Sequence, residues 1–291
     1  MTSLYLLSWF TFVVAVACST PADTNSTVLQ KRAISQQVFD DLVFYFQYAS
    51  SAYNDVCAQP NGNTLVQRID QLLTDTQGFI VRDDGRKEIV VALRGSTSPT
   101  DFLLDNELFL VPFITPGVSP PLGSLVHTGF VTAWNSIALQ VISIVRAQLN
   151  AHPGYSLVTT GHSLGGSLSS LAAISLKQNF PKVMYTYGQP RTFNPISAQF
   201  INSQFGANAF RSVHTIDGAA SSISTVLGYR HHGVEYWQNP DPATPVNVKQ
   251  CSTTNGEDPT CSASIPFLGI GSSHLTYYGI AAGIAFCTSE P

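Results

Sequence analysis

The sequence predicts an α/β fold with a mostly parallel central sheet flanked by helices, on three observations. Extended apolar stretches alternate with helical patterns through the middle of the chain, the arrangement that produces parallel strands with helical crossovers. One stretch, Tyr155-Ser-Leu-Val-Thr-Thr160, turns sharply through Gly161-His162-Ser163-Leu164-Gly165 into a run of small residues, which reads as strand, tight turn and helix. The chain has 291 residues, 44% of them hydrophobic, with no internal repeat, low-complexity tract or linker to divide it. That suits one core of α/β type.

Taken in order, residues 4–17 are an apolar run ending in Ala15-Val16-Ala17, too short to cross a bilayer comfortably and shaped like a secretory signal peptide. No later stretch is expected to span a membrane. Residues 18–32 are polar and end at Lys31-Arg32, a dibasic pair expected of a propeptide cleavage site. The expected organisation is therefore signal peptide 1–17, propeptide 18–32 and folded domain 33–291, with the one glycosylation sequon, Asn25-Ser-Thr, in the propeptide. Apolar residues at Val38, Phe39, Leu42, Val43, Phe46 and Ala49 predict an amphipathic helix over 35–53. Residues 78–82 and 87–93 flank Asp83-Asp84-Gly85-Arg86 and predict a β-hairpin. A long helix is expected over 129–150, stopped by His152-Pro153-Gly154, and further strands over 183–187 and 209–215.

The chain carries 14 Lys+Arg and 18 Asp+Glu, a formal net charge of −4, which argues against nucleic acid or an anionic membrane as an electrostatic partner. A secreted, extracellular chain would lose Cys18 with its signal peptide and keep Cys57, Cys251, Cys261 and Cys287, which allow two disulfides in three pairings. The near pair Cys251/Cys261 most simply closes on itself, leaving Cys57 to join Cys287 as a second structural staple. None of the four shows metal-ligand spacing.

Ser163 stands at the apex of its turn, where a hydroxyl clears the sheet and a helix N-terminus behind it favours negative charge. A serine hydroxyl needs a base, and the base needs a carboxylate to fix its tautomer. In the α/β-hydrolase chain order of serine, acid and histidine, Asp217 follows a predicted strand, whereas Glu235, Asp241, Glu257, Asp258 and Glu290 read as solvated charges. His274, in a Gly/Ser turn, is the expected base; His214 reads as a satisfied core histidine, and His231 and His232 as surface or packing residues. An oxyanion needs preplaced donors, for which the backbone N–H of Leu164 and the turn Leu93-Arg-Gly-Ser-Thr97, with Ser96, are candidates.

Together these residues resemble the secreted fungal class 3 lipases, the filamentous-fungal family that also contains feruloyl esterases. The likeness runs over residues 33–291 through Ser51-Ala-Tyr53, Leu93-Arg-Gly-Ser96, Val126-His-Thr-Gly-Phe130, Thr160-Gly-His-Ser-Leu-Gly-Gly166, Tyr187-Gly-Gln-Pro-Arg191, His214-Thr-Ile-Asp217, His232-Gly-Val-Glu-Tyr-Trp237 and Ser273-His-Leu-Thr-Tyr-Tyr278. The resemblance implies an α/β-hydrolase fold with a lid over the site, and Ser163, Asp217 and His274 as nucleophile, acid and base. It further implies Ser96 and Leu164 as the oxyanion hole, and it supports the Cys57–Cys287 bond. Two positions depart from the family pattern: Gly218-Ala-Ala-Ser-Ser-Ile223 replaces an aliphatic residue and prolines, and Thr97 stands where an arginine is common.

In this family the segment between Ser96 and His127 carries the lid. Here Phe102, Leu103 and Leu104, followed by apolar residues at 108–111, 113 and 114, fit a lid that faces oil once it moves. The opposing reading is that residues 108–114 form a buried strand or packed connection. The expected activity is hydrolysis of acylglycerol esters at an oil–water interface by a monomer, as in a triacylglycerol lipase. It would need no metal or cofactor, nucleic acid partner or stable membrane insertion. A feruloyl or general carboxylesterase is the alternative, supported by the 231–237 block and the Cys251/Cys261 loop. A non-catalytic lipid-binding relative is disfavoured because every expected catalytic position is filled.

Overall fold

The computed structural model describes residues 33–97, 108–176, 182–252 and 256–288. Residues 1–32, with the expected signal peptide and propeptide, and the lid residues Phe102, Leu103 and Leu104 lie outside the described residues.

Helix α1 (Gln36–Ser51) starts at Ser35, whose Oγ accepts the Val38 N–H at 3.2 Å, and buries Leu42, Tyr45, Phe46 and Ala49. Three antiparallel strands follow: β1 (Thr64–Gln71), β2 (Thr76–Asp83) and β3 (Glu88–Leu93). The expected hairpin is β2–β3. The chain then runs through helix α2 (Thr128–Ala151), strand β4 (Ser156–His162), helix α3 (Leu164–Ser175), strand β5 (Lys182–Tyr187), helix α4 (Pro195–Phe205), strand β6 (Ala209–His214), strand β7 (Val234–Gln238) and strand β8 (Val248–Gln250). These strands form one eight-stranded sheet in sequential order. Its centre, from β3 to β7, is parallel, whereas the β1–β2, β2–β3 and β7–β8 pairings are antiparallel. The sheet is thus mixed around a parallel centre, the α/β-hydrolase arrangement.

Alternate side chains serve opposite faces, as the pleat dictates. Along β3, Ile89, Val91 and Leu93 join α2, α3 and α4 in one core, while Val90 and Ala92 pack with α1 in the other. Both faces are covered, so the carboxyl ends of the central strands are left to carry the working loops.

Helix α2 corrects one expectation: it is long and apolar enough to cross a membrane by length and composition, with a mean hydropathy of 1.4. Its apolar residues recur on one face, however, where Phe130, Trp134, Ile137, Val141 and Val145 are buried against the sheet. Trp134 donates its indole N–H to Ser175 Oγ at 2.9 Å, which ties α2 to the end of α3. It is a core helix. The 108–114 segment follows the packed-connection reading in part. Leu110–Pro112 pairs with Leu125–His127, and Phe113 is buried against the Phe193 ring, but Phe109 and Ile114 are exposed.

Both expected disulfides are present, Cys57–Cys287 across a sequence separation of 230 and Cys251–Cys261 across 10. The first lies where Gln59–Pro60 pairs with Cys287–Thr288, so it pins the carboxyl-terminal segment beside α1. A cross-link closing so long a loop removes much unfolded-chain entropy. Replacing Cys57 and Cys287 with serine is expected to lower unfolding stability by about 2–5 kcal/mol, measured by denaturant titration.

Candidate active site

The turn from β4 to α3 is built by one strained residue and two close approaches. Ser163 has φ +59° and ψ −129°, a conformation costly for a side-chain-bearing residue. Gly161 and Gly165 take no positive φ; they are needed for space. A Cβ on Gly161 would strike the Gly165 backbone, and one on Gly165 would strike the Leu93 carbonyl at the end of β3. The glycines therefore let the helix start sit directly against β3 and β4. Although Ser163 occupies the N-cap of α3, its hydroxyl makes no capping bond. Its N–H donates to the Tyr187 carbonyl at 2.8 Å, which fixes the backbone of the turn against β5. Leu164 opens α3, so its N–H has no carbonyl within the helix to meet. The loop bearing Ser96 passes alongside: a Cβ on Gly95 would lie 3.0 Å from Ser163 Cβ.

Asp217 follows β6 and His274 lies on a short 3₁₀ turn, Ser272–Leu275, near the other end of the domain. The two meet with His274 Nδ1 3.0 Å from each carboxylate oxygen, both side chains fully buried. Asp217 also accepts the Tyr277 hydroxyl at 2.5 Å and the Ala219 N–H at 2.8 Å. Burial pushes the Asp217 pKa up, but attraction to the His274 ring and the hydrogen bonds from His274, Tyr277 and Ala219 hold it below its usual value. With Nδ1 donating to the carboxylate, Nε2 is the basic nitrogen, and it is buried without a hydrogen-bond partner.

A second chain of hydrogen bonds, which residue patterns do not reveal, joins three segments of the site. His162 Nε2–H donates to the His274 carbonyl at 2.7 Å, so its Nδ1 accepts the Tyr53 hydroxyl at 2.8 Å. Tyr53 in turn receives the backbone N–H of Gly95. Burial and the nearby His274 push the His162 pKa down to about 3, which keeps the ring neutral and its tautomer fixed. The rings of His162 and His274 lie 4.4 Å apart. The Ser163 turn, the Ser96 loop and the His274 turn are thereby held to one another.

The other histidines and carboxylates are placed as follows. His214 is buried with both ring nitrogens bonded, as expected of a core histidine. His231 and His232 are buried packing residues. Glu235 and Glu257 correct the expectation of solvated charge. Glu235 is buried and pairs with Arg211 at 3.0 Å; Glu257 takes a bidentate pair from Arg191 at 2.7 and 2.8 Å. A buried guanidinium demands a carboxylate beside it, and these two carboxylates meet that demand. Asp241, half-exposed, pairs with His214. Glu290 lies outside the described residues. Among the described residues, Glu235, Cys251 and Cys261 come close enough to share an ion. Their atoms are already engaged, the sulfurs in a disulfide and the carboxylate with Arg211 and the Ser262 N–H.

Because the folded Asp217 pKa lies below its unfolded value, its ionisation stabilises the fold above the ordinary carboxylate range. That contribution is lost as pH falls through the folded pKa. Tyr277→Phe removes one donor and raises the folded pKa toward the unfolded one. Acid unfolding followed by near-ultraviolet circular dichroism is expected to begin at higher pH in this variant than in the parent.

A sequence profile of the class 3 lipases matches residues 90–225. The secreted mono- and diacylglycerol lipase 1 of Fusarium solani is 32% identical over 91% of this chain and 85% of its own length. The solved triacylglycerol lipase of Penicillium expansum superimposes with a TM-score of 0.80 at 30% identity, covering 88% of this chain and 98% of that one. Another triacylglycerol lipase, described as having a serine-protease triad as its catalytic centre, superimposes with a TM-score of 0.77 at 29% identity over 87% of this chain and 98% of its own. With the strained serine, the buried acid–histidine pair and the sheet order all in agreement, this chain belongs to the class 3 lipase family.

Proposed function

We propose that the protein is a secreted triacylglycerol lipase whose catalytic triad is Ser163, His274 and Asp217. The observation that carries this reading is the fully buried Asp217–His274 pair, which leaves only Nε2 to act as a base. In the proposed cycle His274 Nε2 takes the Ser163 proton as Oγ attacks the ester carbonyl carbon. Asp217 stabilises the imidazolium, and the Leu164 N–H with Ser96 receives the oxyanion. The tetrahedral species collapses, the alcohol leaves with the proton from Nε2, and water repeats the sequence on the acyl-enzyme.

An acylglycerol at an oil–water interface is the proposed substrate form. Beside the acid and the base, Ile216, Phe267, Leu268 and Leu275 are each about half exposed, and Phe267 lies over Gly218. Apolar groups gathered around a hydrolytic site gain from contact with lipid. The 231–237 block that supports an esterase is buried, with His231 Nε2–H donating to the Ala220 carbonyl and His232 bonded to Ser170, so it packs the fold. Relatives known as secreted lipases of mono-, di- and triacylglycerol support both the substrate class and secretion. Processing at Lys31-Arg32, with a mature domain from Ala33 onward, completes the proposal.

The test uses protein from Ala33 onward with Ser163→Ala as control, on emulsified long-chain triacylglycerol, methyl ferulate and a soluble short-chain ester. The expected result is highest activity on the emulsion, and a fall of about 10³-fold or more in kcat for Ser163→Ala. Activity confined to methyl ferulate or the soluble ester would overturn the lipase reading in favour of an esterase. Activity retained by Ser163→Ala would overturn the nucleophile.

A further inference from the structure

His214 stands at the end of β6, three residues before Asp217, and its ring lies between two oxygens that can only accept. Nδ1 is 2.9 Å from the carbonyl of Ser273, the residue before His274. Nε2 is 2.9 and 2.8 Å from the two carboxylate oxygens of Asp241, on the turn after β7. A carbonyl can only accept, so Nδ1 carries the proton that meets Ser273, while the Asp241 carboxylate holds the ring from its other edge. The neighbouring Thr215 Oγ1 donates to Ser273 Oγ at 2.8 Å, so two residues in succession hold Ser273.

We propose that His214, oriented by its pairing with Asp241, is a positioning residue whose Nδ1–H clamps the Ser273 carbonyl and so sets the backbone from which His274 projects. This inference rests on His274 being the base. His274 has a buried carboxylate on one side and an unpaired Nε2 on the other, and its turn belongs to no strand of the central sheet. Its backbone is held by His162 on its own carbonyl and by His214 on the carbonyl before it. These two anchors flank the one residue whose ring must be aimed. A small misplacement of a proton acceptor costs a large factor in rate.

The groups around His214 leave Asp241 to orient its ring. Asp241 faces Nε2 from the turn after β7, with its side chain 55% exposed. From the segment after His274, the Tyr277 ring lies 5.8 Å from the imidazole, and Tyr278 lines the open pocket beside it with Asp241 and Thr276. Both tyrosines have their pKa raised by burial and stay neutral. Gln238, the β7 partner of His214, carries no charge. Asp241 is the anion that faces the ring directly. Loss of the carboxylate leaves the ring free to turn away from the Ser273 carbonyl.

The experiment compares the parent with Asp241→Asn and Asp241→Ala, both at a half-exposed side chain. The side-chain amide can accept from Nε2–H or donate to a bare Nε2, so it can hold the ring without charge. On a soluble short-chain ester, Asp241→Ala is expected to lower kcat by about 3–10-fold with KM within about twofold. Asp241→Asn is expected to keep kcat within about twofold of the parent, because its amide still orients the ring. Nitrogen-15 shifts of the histidine rings should show a proton fixed on His214 Nδ1 in the parent, and a loss of that preference in Asp241→Ala. A His214 ring without a proton on Nδ1 in the parent would overturn the proposal, as would an Asp241→Ala enzyme with unchanged kcat. A parent inactive on every ester would refute the reading of His274 as base, while the ring shifts would still report whether His214 Nδ1–H meets the Ser273 carbonyl.

Discussion

The site depends on one buried anion. Asp217 lies beneath the surface with its charge intact, and a carboxylate in that position must be met by several donors or it will take up a proton. The donors come from segments far apart in the chain. Ala219 is part of the same turn, but His274 and Tyr277 belong to the carboxyl-terminal segment, which contributes no strand to the central sheet. The carboxylate thus does two jobs: it orients the histidine, and it recruits the chain terminus into the fold. Cys57–Cys287 and the bonds from Ser50 Oγ to the carbonyls of Ala281 and Ile284 hold the same segment from the α1 side.

The serine is held by a different constraint. Its positive φ is maintained because the glycines on either side let β3, β4 and α3 approach within backbone contact, and the Tyr187 carbonyl fixes its N–H. The strain is therefore supported by the parallel centre of the sheet, where β3 and β4 are buried along almost their whole length. The histidine and acid lie at the ends of loops. His162 bridges the two: its neutral ring donates to the His274 backbone and stands one residue from Ser163. A neutral histidine suits this place, since a charged one would compete with His274 for the field of Asp217.

Those two constraints explain what was legible in the sequence. The elbow announces itself through local chemistry, because the contacts that require Gly161 and Gly165 leave no alternative residue. Helices α1 and α2 follow from apolar periodicity, and Asp217 and His274 from their order and from the turns that carry them. Strand β1 is obscure because it is an edge with a bulge between Leu65 and Gln67 and only Ile69 fully buried, so alternation is broken. Strand β7 is obscure for the opposite reason: Val234–Gln238 is buried on both faces, and Glu235 and Gln238 read as surface residues. Tyr53, Tyr277 and the charge pairs of Arg191 and Arg211 depend on contacts between distant segments, which no local pattern encodes.

The buried ion pairs show what such contacts accomplish. Arg211 donates to Glu235, the His232 carbonyl and the Gly256 carbonyl, while Arg191 joins Glu257 to the Ile223 carbonyl. Glu235 also accepts the Ser262 N–H, and Glu257 accepts the His231 N–H. Irregular chain beside Asp217 is thereby fixed by directional bonds rather than by apolar packing, the 256–262 loop to β6 and β7 and the 218–223 turn to the segment after β5. Buried pairs of this kind add little net stability compared with apolar replacements, but breaking one leaves an uncompensated charge. Their effect is to allow one arrangement of the loops and to make others expensive. That selectivity is what an acid must have to meet a histidine 57 residues away with both carboxylate oxygens at 3.0 Å.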